Sequence, residues 1–166
     1  MENLDTFLSQ QPPFDGLPRE EVVAVAARAS EVAFDTGDVV LVEDGAPAVG
    51  LYVLRAGSME LVHEGEPVVV LEPGECFGHP SLLTGMAPIF TVRAREPSLC
   101  ALLDAPTARR VLATPAGVSY VAGTMRTRLT RSGHDLQREL WNGSRQPEAY
   151  YLERELGVLQ FHGVVN

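Results

Sequence analysis

The residues best placed to do chemistry lie in the run Phe77-Gly78-His79-Pro80-Ser81-Leu82-Leu83. A glycine followed by a short helical turn presents backbone N–H groups to an anion, and a serine hydroxyl adds a further donor. Ser81 is therefore either an anion donor or a helix cap. His79 donates to an anion when protonated, or serves as a structural hydrogen bonder. Arg93 shares the Thr91 face of the next strand by period-two alternation, and either points to the same pocket or stands as a solvated strand arginine. Together these side chains would hold a small anion.

Other chemistries find no support. His63, His79, His134 and His162 are scattered, without HxxEH, HExxH or CxxC spacing, so no metal site is expected. Cys76 and Cys100 fall at or beside strand-like runs and read as small apolar core residues. Every basic residue is arginine, which removes Schiff-base lysines and the P-loop, and there is no GxSxG elbow. The expectation is a protein that is not an enzyme and has no cofactor beyond a nucleotide or other anionic ligand.

The chain has 166 residues, 45% of them apolar, enough for one domain with its own core. Its net charge of −9 is uneven. Residues 1–104 carry 17 acids and 5 arginines, whereas residues 107–145 carry 7 arginines and 2 acids. An acidic body disfavours broad nucleic-acid binding, and the arginines of the later segment read as a solvated helix face, so DNA is not an expected partner. The N-terminus lacks a basic and apolar leader and no run approaches ~18 apolar residues, so the expected location is the cytoplasm, with no membrane span.

Four segments must position the chemistry. Residues 1–30 hold an N-terminal helix at about 18–29. Residues 31–104 hold short β-rich runs, EVAF, VVLV, GLYVL, MELV, VVVL, IFTVRA and LCALL, punctuated by glycine, proline and acids. Residues 105–142 return to helix: APTARRVLAT, then a longer helix from about 116 to 131 that continues toward Trp141. Its stripe of Val118, Val121 or Ala122, Met125, Leu129, Leu136 and Leu140 suits packing on its own domain or a homodimer seam over 116–141. Arg126, Arg128, Arg131 and Arg138 fall largely off that stripe. Residues 143–166 form a tail in which PEAYYLERELGVLQF offers one more helix, too little for a helix-turn-helix.

This order of elements, with the glycine spacing of FDTGDVVLVEDGAPAVGLYVLRAGSMELV and the run LEPGECFGHPSLLTGMAPIFTVRA, resembles the cyclic nucleotide-binding domain over about residues 5–130. The resemblance implies a mainly β fold, a double-stranded, jelly-roll-like β-roll with helices at both ends. It also implies a phosphate-binding cassette at 77–91, with ligand contacts from Gly78, His79, Ser81, Leu82, Thr91 and Arg93. The sequence departs from the family at two places. In nucleotide-binding members an acid two positions after the phenylalanine accepts the ribose hydroxyl, and an arginine just after a proline pairs with the phosphate. Here His79 and Ile89 stand there. Charged hydrogen bonds contribute about 1.5–3 kcal/mol each, so losing both weakens cyclic AMP or cyclic GMP by powers of ten.

The wording FGHPSLLTG and FTVRARE is similar to a subgroup in which this domain precedes a paired CBS module and a nucleotidyltransferase-like domain. The expectation is a non-catalytic sensor domain. The alternative is a ligand-free dimerisation or docking module, the detached N-terminal part of such a protein.

Overall fold

A computed structural model describes residues 1–131. Eight strands follow one another as β1 (Ser30–Phe34), β2 (Val39–Leu41), β3 (Gly50–Ala56), β4 (Met59–His63), β5 (Glu66–Leu71), β6 (Cys76–Phe77), β7 (Thr91–Ala94) and β8 (Ser98–Asp104). They form two four-stranded antiparallel sheets, ordered β1-β8-β3-β6 and β2-β7-β4-β5. The helices are α1 (Leu4–Ser9), α2 (Arg19–Arg28), α3 (His79–Thr84), α4 (Ala105–Leu112) and α5 (Pro115–Arg131), with a 3-10 turn at Phe14–Gly16. This is the β-roll with flanking helices.

Strand patterning follows burial. β3 lies between β8 and β6 and meets α3 and α4, so Gly50 to Arg55 are all buried and the strand reads as a near-continuous apolar run. β7 alternates instead, with Val92 and Ala94 buried and Thr91 and Arg93 half-buried on the other face. The core joins Leu51, Val53, Met59, Leu71, Phe77 and Leu103 to helical residues, among them Phe7, Leu8 and Val121.

The helix expected at about 18–29 runs from Arg19 to Arg28, entered through Pro18. Two elements escape the sequence reading, α1 with six residues and β6 with two. Neither is long enough to show a period. α4 begins where Asp104 accepts a hydrogen bond from the Thr107 N–H at 2.8 Å, a side-chain cap that holds this carboxyl below its usual range.

α5 crosses α4 closely: a Cβ on Gly117 would stand 2.3 Å from the Val111 carbonyl oxygen. Its apolar stripe is divided. Val121 and Met125 are 6% and 2% exposed in the domain's own core, whereas Val118 is 58% exposed. The solvated-arginine reading of this helix needs correction at Arg128, which is 5% exposed. Position 128 lies seven after Val121 and three after Met125, so helical geometry brings it round to the packed side. The proposed continuation through 132–141 and the helix in the tail lie outside the described residues.

Candidate functional site

β6 turns into α3 at Gly78, whose φ of +90° lies in the left-handed region. A side chain here would be strained, and its Cβ would stand 3.2 Å from the Gly50 carbonyl oxygen. The following turn is tied to the 42–49 loop. The Ala48 N–H donates to Ser81 Oγ at 3.0 Å, Ser81 Oγ donates to the Met86 carbonyl at 2.5 Å, and the Asp44 N–H donates to the Pro88 carbonyl at 2.8 Å. The single hydroxyl proton of Ser81 is thereby committed within the protein.

This turn borders a cavity of about 40 Å³, lined by Leu41, Leu61, Phe90 and Val92 together with Gly78, Ser81 and Arg128. Pockets that enclose drug-sized ligands hold roughly 300–1,000 Å³. Phe90 is 6% exposed, so its ring is part of the wall.

The six residues expected to touch a ligand are not brought together. Gly78 and Ser81 line the cavity, and Leu82 is buried in the core. Thr91 and Arg93 share a face, as alternation requires, but Val92 is the β7 residue that faces the cavity. Thr91 Oγ1 accepts from the Glu43 N–H at 2.9 Å. Arg93 does not point into the pocket: its Nε donates to Glu60 Oε1 on neighbouring β4 at 2.6 Å. Paired antiparallel strands place Glu60 directly opposite Arg93, so this carboxylate is the guanidinium's nearest partner.

His79 is fully buried and faces α5, where its Nε2 lies 2.9 Å from Thr124 Oγ1. Thr124 Oγ1 donates its one proton to the Val121 carbonyl, so His79 Nε2–H is the donor between them. His79 Nδ1 is then a buried lone pair without a hydrogen-bond partner among the described residues. Burial, with the Arg128 guanidinium nearby, holds His79 well below its usual pKa. That direction favours the neutral ring and, of the two roles read from the sequence, the structural hydrogen bonder.

Two further α5 contacts flank this one. The Cys76 N–H donates to Tyr120 Oη at 2.9 Å, and the Arg128 guanidinium donates to the Cys76 carbonyl oxygen. Tyr120, Thr124 and Arg128 are spaced by four, so they form one polar stripe along the helix. That stripe holds α5 to β6 and the first residue of α3. The sequence reading missed it by following only apolar periodicity.

The cysteines are free thiols. Burial raises Cys76 to about 11 and Cys100 to about 12. Among the described residues no group of three or more metal-ligating side chains gathers, and no helix is long and apolar enough to cross a membrane.

The comparisons with known proteins agree with this fold. An uncharacterized protein of Mycobacterium tuberculosis is 36% identical over 94 residues, 56% of this chain and 19% of that relative. The chain thus spans about a fifth of that relative's length. Two solved structures share the fold. Cyclic AMP-bound PfPKA-R superposes with a TM-score of 0.68 at 17% identity, covering 76% of this chain and 44% of that one. The regulatory subunit of a cAMP-independent protein kinase A from Trypanosoma brucei gives a TM-score of 0.57 at 21% identity, covering 72% and 49%. The family model for the cyclic nucleotide-binding domain matches residues 31–114, from β1 through α4. With the two-sheet roll, the glycine-led turn at 78 and the helix docked beside it, the chain belongs to the cyclic nucleotide-binding domain family.

Proposed function

We propose that this chain is a non-catalytic regulatory domain whose cassette passes its state to α5, and whose affinity for cyclic AMP and cyclic GMP has been lost. The observation that carries this reading is the contact of Cys76, just before the cassette, and His79, within it, with the Tyr120, Thr124 and Arg128 stripe of α5. A change in the cassette alters those bonds, and a state with α5 docked is favoured over one with α5 released only by what binds the two differently. Three features support the loss of cyclic nucleotide. The acid and arginine positions hold His79 and Ile89, Ser81 is spent on the 42–49 loop and the Met86 carbonyl, and the cavity is about 40 Å³.

Thermal unfolding of the full chain with millimolar cyclic AMP, cyclic GMP, AMP, cyclic dinucleotides and phosphate tests this. A ligand at one hundred times its Kd stabilises by about 2.7 kcal/mol. The expected result is no shift with either cyclic mononucleotide. A shift that disappears in Ser81→Ala overturns the reading and makes the chain a working cyclic nucleotide sensor.

The small cavity also favours a second reading, a docking or dimerisation module that works without a small ligand. The match to 19% of a longer relative supports a domain that serves others in one polypeptide. Its homodimer version places the seam on the helix expected over 116–141, and a monomer at micromolar concentration in sedimentation equilibrium removes that version. Both readings place the protein in the cytoplasm, where Cys76 and Cys100 stay reduced, with no role in DNA binding.

A further inference from the structure

Arg128 is an unusual feature of the interior. It is 5% exposed, its guanidinium donates to the Cys76 carbonyl oxygen, and its Nε has no hydrogen-bond partner among the described residues. No carboxylate forms an ion pair with it there. A carbonyl carries only a partial charge, and a buried guanidinium without a counter-charge is costly. Its five N–H donors in a fixed fork match a carboxylate or a phosphate.

Arg128 also lines a second and much larger space. A groove of about 390 Å³ is lined by α5, the Gln11-Pro12 turn and the Pro73-Gly74-Glu75 turn, and Arg128 is the one residue it shares with the lining of the cassette cavity. That volume lies within the range of small-molecule sites. Tyr120, Pro12 and Pro73 supply apolar walls, while Gln11, Thr124 and Thr127 supply neutral polar groups. The two turns meet closely at Gly74, whose Cβ, if present, would stand 2.3 Å from Gln11 Oε1. Glu75 is the acid on the wall, and its Oε2 already accepts from the Glu72 N–H at 2.8 Å.

We propose that this groove is a binding site, separate from the cassette, for a small molecule carrying one carboxylate or phosphate, which Arg128 holds. An occupant supplies a counter-charge that the described residues do not. It also competes with the Cys76 carbonyl for the guanidinium, so occupancy bears directly on how α5 is docked.

Amide NMR of the full chain, titrated with orthophosphate and separately with citrate at constant ionic strength, tests the site. Saturable shifts at Gln11, Gly74, Glu75 and Thr127 are expected with at least one probe, and the probe that acts identifies phosphate or carboxylate as the preferred head group. Arg128→Gln should weaken binding at least tenfold. Because Arg128 is buried, Thr127→Glu is the second variant: it sets a carboxylate in the groove from an exposed position and should weaken binding equally while leaving the melting temperature near wild type. Non-saturating shifts with both probes, or a Thr127→Glu protein that binds as wild type does, overturn the proposal. Shifts confined to Gly78, Ser81 and Ile89 place the anion in the cassette, which also overturns it.

Discussion

His79 occupies the position where nucleotide-binding members of the family carry an acid, yet its ring serves the interior. The Nε2–H donates to Thr124, and the ring is kept neutral by burial and by Arg128. A histidine whose folded pKa is depressed contributes stability that is fully present above its unfolded value, about 6.5, and is lost as pH falls toward the folded value. Below about pH 6.5 the unfolded chain takes up a proton that the native state refuses. The expected penalty from this one group is at most about 1.4 kcal/mol per pH unit. Urea midpoints measured from neutral to mildly acidic pH should therefore fall more steeply for wild type than for His79→Gln, whose amide can still donate to Thr124. Equal slopes would show that His79 titrates freely in the fold. The sequence identified this residue as the departure from the family, but not its partner, because Thr124 is 45 residues away.

At the scale of elements, the junction of β6, α3 and α5 is the part of the fold with most consequence. α5 is held there by polar bonds to β6 and α3 and, alongside them, by Val121 and Met125 in the core. The Cys76 N–H is the group most exposed to loss, since its acceptor is a single phenolic oxygen. Tyr120→Phe keeps the ring and removes that acceptor, so it should cost about 1–3 kcal/mol, the usual penalty for a buried donor left without a partner. Denaturant unfolding reads the cost, and a change near zero would mean that the helix is not anchored at Cys76. Helix α5 itself was legible from its period of apolar residues, and β7 from its alternation. α1 and β6 were not, because six and two residues are too few to display a repeat.

For the molecule as a whole, α5 belongs to the same core as the roll rather than being an appendage to it. Met125 is 2% exposed and packs in the cluster that also contains Phe77, Leu103 and Leu112. Met125→Ala should destabilise the whole domain by about 2–5 kcal/mol, in one cooperative transition shared by the helices and the sheets. Helical and aromatic signals that melt at separate temperatures would instead make α5 an independent unit. The sequence by itself determined a run of short strands between helices and the alternation that puts Thr91 opposite Val92, because these are local patterns of residue type and period, while the β-roll and the cassette positions held by His79 and Ile89 were legible only through the resemblance to the family. The tertiary structure alone decided that Val92 and not Arg93 faces the cavity, that His79 turns to Thr124, and that Arg128 is buried and lines both the cassette cavity and the groove. Periodicity states which residues share a face, but which face becomes the interior depends on what packs against it from distant parts of the chain.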